Sequence, residues 1–373
     1  MGSDGSDFPG IVMSSPIGVF QEDFHDPGYS LEMPSVHLLQ PKDAKKWDEF
    51  VSSCPEATFF HRSGWKNVIE QALGHKTWFL YSESGGRIQG VLPLAEIDSL
   101  LFGHSLSSLP FCVYGGIAAI SEAGREALDK AAQALSVRLK ADYLEYRNLK
   151  AFHSDWPAKD LYVTFRKEID AEEERNMQAI PRKQRAMVRK GIKAGLESSI
   201  DEDIDRFFYA YSASVHRLGT PVFSRQYFRL LKDVFRDDCE LLIITKEGKT
   251  VAGVMSFYFR DEVLPYYGGG TGEARELAAN DFMYWELMRR ACGRGYRIFD
   301  FGRSKRGTGS FDFKKNWGFE AQPLHYEYQL HAAQAMPDHN PLNPKYQLFI
   351  KAWQKMPLWL ANLIGPHIVR NLG

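Results

Sequence analysis

Two stretches decide the fold: FFHRSGWKNVIEQALGHKTWFLYSESGGRIQGV, Phe59 to Val91, and VFSRQYFRLLKDVFRDDCELLIITKEGKTVAGV, Val222 to Val254. They align without a gap. Phe60, Arg62, Trp65, Leu80, Gly85 and Gly90 answer to Phe223, Arg225, Phe228, Ile243, Gly248 and Gly253, and each copy reads helix, strand, turn, strand. Further on, Tyr114, Gly115 and Gly116 return as Tyr267, Gly268 and Gly269. A period this long marks duplicated units and not a solenoid, whose repeats run roughly 20 to 50 residues.

The alternation of helices and strands gives an α/β (α+β) fold with mixed sheets. With 373 residues at roughly 100 to 200 per domain, each half is long enough to bury its own core. The boundaries expected are a disordered tail over 1–34, a first unit over 35–168, a second over 169–331 and an amphipathic tail over 332–373. Lys plus Arg (46) nearly cancel Asp plus Glu (47), so only local charge can speak about partners. Cys54, Cys112, Cys239 and Cys292 are scattered, with no metal spacing, which predicts reduced thiols and no metal site. The start lacks the cationic and apolar pattern of a secretory signal, and MGSDGS is read as a coincidental match to a myristoylation pattern.

Three segments carry chemistry. The first is FDFGRSKRGTGSFDFKKNWGF, Phe299 to Phe319: a strand, a glycine-rich cationic loop and an aromatic, lysine-rich return. Arg303, Lys305, Arg306, Lys314 and Lys315 outnumber Asp300 and Asp312, so the loop suits an anion or a charge that develops in a transition state. The second, IPRKQRAMVRKGIKAGL, places Arg182, Arg185, Arg189 and Lys193 on one face of a helix over 181–195, with Pro181 at its start and Gly195 at its stop. That stripe suits nucleic acid, a nucleotide diphosphate or a lipid pyrophosphate, or else is a solvated face paired with Glu172 to Glu174. The third, Gly268 to Gly270 at a strand end, lets a ligand or another backbone approach closely. Ser63 is read as a helix N-cap, and His61 and Arg62 as a helix-entry pair with local hydrogen bonds.

Several chemistries are excluded. Thr308 stands where a P-loop needs lysine, and there is no G-x-S-x-G elbow or H-E-x-x-H helix. An R-x-x-G-x-G pyrophosphate loop is only approximated, because Arg303 precedes Gly307 by four positions. After Asp338 no acidic residue remains, while Phe349, Trp353 and Met356 follow Tyr346 at helical spacing among Lys351 and Lys355. Pro357 and Pro366 are expected to split this tail, which either lies in a bilayer interface or closes the protein's own groove.

Together LPYYGGG (264–270), NDFMYWELMRRACGRGYRIFDFG (280–302), FKKNWGF (313–319) and the basic helix resemble the FemAB family of aminoacyl and acyl transferases, over Phe59 to Leu330. GTPVFSRQYF (219–228) and the 299–319 stretch look closest to the branch associated with exosortase (PEP-CTERM) and exopolysaccharide clusters. The resemblance implies tandem GNAT-type domains. It also implies a cytoplasmic, metal-independent N-acyltransferase that loads an amine of a cell-envelope or exopolysaccharide precursor. No tightly bound cofactor is implied; the acyl donor is a cosubstrate, aminoacyl-tRNA or acyl-CoA. The family's Phe-Lys pair falls on Phe313 and Lys314, and its strand tyrosine on Tyr266 or Tyr267. Lys314, Asp300 and Tyr267 are the catalytic candidates. Arg303, Lys305, Arg306, Phe313, Tyr266, Gly268, Gly269, Arg182, Arg185 and Arg189 are the substrate and anion contacts. Peptidoglycan-bridging members carry a glycine pair where this chain has Arg303 and Ser304, and the helical hairpin some members use near tRNA is missing. The acceptor is a small-molecule or lipid-linked glycan precursor, with a membrane contact through 344–372. Two alternatives stay open: an acyl-CoA-dependent sugar N-acetyltransferase, and a non-catalytic module that binds an anionic glycolipid.

Overall fold

The repeat helices meet each other across the middle of the protein. The computed structural model describes residues 34–99, 103–333, 335–337 and 344–372. The tail expected over 1–34 therefore lies outside the described residues except for Pro34. In the first copy, Gly64–Val68 continues as a wider helical turn, Ile69–Leu73, and Gly74 ends it at φ +74°. In the second copy the helix is Arg225–Phe235. They touch so closely that a Cβ on Gly64 would come within 2.6 Å of Val234 Cγ1.

Each copy continues as a hairpin. Lys76–Ser84 pairs with Arg87–Ser99, and Cys239–Lys246 with Lys249–Phe259. Glu247 and Gly248 both turn through positive φ, the geometry of a tight two-residue hairpin. Around the first hairpin grows an eight-stranded sheet and around the second a six-stranded one. In both, one parallel pair follows the hairpin: Gly103–Ser108 with Tyr143–Asn148, and Glu262–Gly270 with Ile298–Asp300.

The sheets then exchange their closing strands. Arg166–Glu168, which leaves the first half, pairs with Ile298–Asp300 in the second sheet. His325–Leu330, which leaves the second half, returns to Tyr143–Asn148 in the first. A small sheet of Ser304–Lys305, Tyr162–Thr164 and Gln322–Pro323 fastens the crossing.

Each half buries a cluster of its own, around Leu92, Leu106 and Leu128 in the first and around Leu242, Val254 and Phe282 in the second, and a further cluster joins the halves. Phe59, Phe60 and Trp65 share one buried cluster with Phe228, Phe235 and Phe257, and the rings of Phe59 and Phe257 stack at 4.5 Å. Aromatic burial across the halves adds a shared interior to these two.

Several local readings change. Ser63 gives its hydroxyl to Asp48 and caps nothing. Thr58 caps the short turn Phe59–His61 that precedes the helix Gly64–Val68, in a reciprocal box with His61. His61 Nδ1 accepts the Thr58 N–H at 3.0 Å, so Nε2 carries the proton toward Gly116 O at 2.8 Å, and burial pushes the ring down to about 4. Arg62 pairs with Asp238 at 2.6 Å. In the tail, Pro357 separates the helices Pro344–Lys355 and Leu358–Val369, but Pro366 lies inside the second without breaking it. One backbone bond is lost there, and packing of Gly365 and Val369 on either side retains the helix.

Candidate functional site

The seam between the halves is built on Asp300, the last residue of its strand. It is 1% exposed. Arg166, its partner on the exchanged strand, places Nε 3.3 Å from Oδ2 and also pairs with Glu262. Tyr114 of the first half donates to Oδ2 at 3.1 Å and hydrogen-bonds Thr164, and the Gly302 N–H donates to Oδ1 at 2.7 Å. Burial raises Asp300 above the usual carboxylate range against Arg166 and these donors. Glu262 is raised to about 7 by burial and by Asp300, despite Arg166. Asp300, expected among the catalytic groups, is thus enclosed by protein groups and ties the two halves together.

After Asp300 the chain turns through Gly302 at φ +66°, a conformation that favours glycine. Lys314 was expected on a loop; it lies on a short helix, Gly309–Asn316. From there its ammonium reaches back to donate to Gly302 O and Arg303 O, both at 3.0 Å. Burial and the Arg303 charge push Lys314 down to about 7, against the pull of Asp300. Arg303 donates to the Tyr326 hydroxyl at 3.1 Å and lies over the Tyr162 ring at 4.8 Å. Among the described residues neither Lys314 nor Arg303 forms an ion pair with a carboxylate. Two neighbouring cations lacking a carboxylate partner form a ready place for an anion or a developing oxyanion.

The first half supplies the facing wall. Leu109 and Phe111 flank Pro110 with φ of 51° and 69°, a left-handed backbone that costs non-glycine residues free energy and must be held by its surroundings. The holding bonds come from elsewhere in the chain: Tyr266 OH to Phe111 O at 3.0 Å, Arg147 Nη1 to Cys112 O at 3.0 Å and Tyr326 OH to Val113 O at 2.7 Å.

The other candidates take distinct places. Lys305 lies 5.6 Å from the Tyr162 ring centre, and Arg306 donates its backbone N–H to Leu161 O. Phe313 packs against Tyr284, Phe301 and Trp317. Tyr267 is buried and hydrogen-bonded to Tyr227 at 2.7 Å. The glycines serve the protein's own packing: a Cβ on Gly268 would meet the Tyr284 hydroxyl at 2.7 Å, and one on Gly269 would meet Ser214 Cβ at 2.5 Å and Tyr211 Cα at 3.3 Å.

Arg182, Arg185 and Arg189 stand apart from the seam on the helix Arg182–Lys193. Gln184 on its buried face donates to Asp281 Oδ1 at 2.6 Å, and Trp317, one residue past the Lys314 helix, donates to the same oxygen at 3.0 Å. Asp281 therefore anchors both elements. The basic side chains border a hollow of about 590 Å³ whose walls all come from this one helix, so it is a one-sided surface. Among the described residues they make no ion pair; Arg175 takes Asp170 and Glu172, the first residue of the acidic run, and Glu174 accepts from Gln178.

Tyr162, Arg166 and Tyr326 were not anticipated. Arg147, also missed, had a sequence signal: Glu145 and Arg147 are two apart on a strand and so share one face.

Comparison with known proteins agrees with this architecture. Residues 182–315 match the family described as Acetyltransferase (GNAT) domain. The crystal structure of FemX is similar over 85% of this chain and 100% of its own, with TM-score 0.63 and 15% identity. The C-terminal domain of an Agrobacterium fabrum protein described as a lysylphosphatidylglycerol synthetase is similar over 78% of this chain and 93% of its own, with TM-score 0.54 and 14% identity. A tandem GNAT protein from the clavulanic acid biosynthesis pathway is similar over 81% and 99%, with TM-score 0.50 and 11% identity. No curated protein sequence matches the chain. The chain is an acyltransferase with duplicated GNAT-type units.

Proposed function

We propose that the chain is a FemAB-like N-acyltransferase that moves an activated acyl or aminoacyl group onto an amine of a cell-envelope or exopolysaccharide precursor, in the cytoplasm and within an exosortase-associated system. The observation that carries this reading is Lys314, tuned to about 7 and held on the backbone of Arg303. In the reaction the amine nitrogen attacks an ester or thioester carbonyl; the C–N bond forms and the C–O or C–S bond breaks. Arg303 remains charged and faces the oxygen that becomes negative. Lys314, poised between its two protonation states at neutral pH, takes the proton from the amine and returns it to the leaving oxygen or sulfur.

Asp300 acts through Arg166, Tyr114 and Gly302 and is a positioning residue. The exposed Arg182 and Arg189, with the half-buried Arg185, suit the phosphates of the donor, and a tRNA acceptor stem fits a one-sided cationic surface better than a buried pyrophosphate would.

The test is mass spectrometry of products made by the purified chain from amine-bearing nucleotide sugars and lipid-linked glycans, with aminoacyl-tRNA and acyl-CoA offered separately. A gain of one aminoacyl residue supports the reading. A gain only with acyl-CoA favours the sugar N-acetyltransferase. No gain with either donor, together with retained glycolipid binding, favours the non-catalytic module.

A further inference from the structure

The C-terminal helices are oriented contrary to simple core packing. In Leu358–Val369 the buried positions are the small or short Ala361, Gly365 and Val369, and a Cβ on Gly365 would lie 3.0 Å from Val222 N. The opposite stripe carries Trp359 and Leu363, 69% and 63% exposed, followed by His367 and Arg370. A helix evolved only to cover its own groove would bury its Trp and Leu. The preceding helix buries Trp353, 3% exposed, against the body, but it leaves Leu348 77% exposed beside exposed Lys351 and Lys355.

The tail is nonetheless fixed to the body. His216 Nε2 hydrogen-bonds Trp353 O at 3.0 Å, Gln354 donates to Arg217 O at 2.7 Å, and His75 Nε2 bonds Arg370 O at 2.5 Å. Its outward face is therefore a defined surface. Each helix has 12 residues, about 18 Å at the α-helical rise, and no helix among the described residues is long and apolar enough to cross a membrane.

Charge decides what covers this face. No Asp or Glu follows Asp338, while Lys351, Lys355 and Arg370 fringe the apolar side chains. A second copy docked face to face would bring like charges together, whereas anionic headgroups would neutralise them and accept Trp359 at the level where indoles partition. The face is also distinct from the basic helix. Leu241, Ile243, Met255 and Phe257 pack on the side of the second sheet covered by the helix Ile204–Arg217, against which the tail lies, and their alternating neighbours Leu242, Ile244 and Val254 on the side covered by the helix Ala279–Gly293, against which Arg182–Lys193 lies. The two cationic surfaces lie on opposite faces of the second sheet.

We propose that the outer face of Pro344–Lys355 and Leu358–Val369 docks in the interface of an anionic bilayer, with Leu348, Trp359 and Leu363 inserted and Lys351, Lys355 and Arg370 at the headgroups. It stands independently of the transferase reading.

The test is co-sedimentation of the full chain with phosphatidylglycerol-containing and with pure phosphatidylcholine vesicles. Binding should favour the anionic vesicles. Trp359→Glu with Leu363→Glu should weaken it at least about tenfold, and Lys351→Gln with Lys355→Gln should cost about fivefold per charge and erase the anionic preference. Unchanged thermal unfolding of both variants checks that they fold, and Trp359→Phe should remove the vesicle-induced blue shift of emission. Equal binding to both vesicle types, or no effect of the double Glu change, overturns the proposal. A lipid-free dimer of the parent chain that the double Glu change dissociates also overturns it and assigns the face to a second copy.

Discussion

The two parallel strand pairs show what duplication kept and what it changed. In the first half the end of the pair is stitched shut. Gly115 and Gly116 both donate to Arg147 O at 3.2 Å, and a Cβ on Gly116 would overlap the Asn148 side chain. The buried charges there satisfy each other, with Glu145 and Arg147 at 3.0 Å. In the second half only Glu262 with Ile298 and Val263 with Phe299 are in register before the strands part. Arg303 and Lys314 emerge at that point. One copy pairs its buried charges with each other; the other leaves two cations without a carboxylate, and the proposed function assigns them to the reacting group.

That contrast can be broken by substitution. The largest stability loss should follow Glu145→Gln, which leaves Arg147 buried without its carboxylate, at about 3–5 kcal/mol. Denaturant unfolding measures it, and turnover per folded molecule should stay near the parent value. Gly64→Ala comes next: the added methyl meets Val234 and Phe235, and overpacking of this kind costs about 1–3 kcal/mol. A neutral result would mean that the repeat helices can slide apart.

The pH dependence sharpens the difference further. Glu262 is raised from 4.5 to about 7, so between those values the folded state holds more protons than the unfolded one. Its contribution to stability is full below pH 4.5 and is lost as pH rises through 7. Lys314 is lowered from 10.5 to about 7, so in the window from 7 to 10.5 the unfolded state holds the extra proton and stability rises with pH. Each slope is at most about 1.4 kcal/mol per pH unit. Glu262→Gln should flatten the acid-side slope alone, and Lys314→Met the alkaline-side one alone, in unfolding midpoints followed across pH. A parallel change of both slopes in either variant would contradict the independence of the two groups.

How much of this was legible depends on the range of each interaction. The hairpins, the repeat and the basic helix follow from local periodicity and turn residues, and they appear where the pattern places them. The strand exchange does not follow, because HYEYQL over His325–Leu330 announces a strand by alternation but not which open sheet edge receives it. Lys314 was legible as a residue and not as a helix: two glycines just before it suggest a loop, and the eight-residue helix is held by Phe313 and Trp317 packing against Tyr284. The enclosure of Asp300 was hidden for the same reason, since Tyr114 and Arg166 reach it from distant parts of the chain. Gly268 and Gly269 signalled a close approach, and what approaches is the Tyr284 side chain of one helix at Gly268 and Ser214 and Tyr211 of another at Gly269.

Turnover of Lys314→Met, measured alongside Lys314→Arg across pH, tests the central claim most directly. We predict that the Met variant stays folded, with unfolding free energy within about 1 kcal/mol of the parent, while turnover falls about 100- to 1,000-fold with the loss of the general base. The parent should show an activity inflection near pH 7, and the Arg variant should lose it. Near-parental turnover in the Met variant, or an unchanged inflection in the Arg variant, would contradict the assignment of the reacting centre to Lys314.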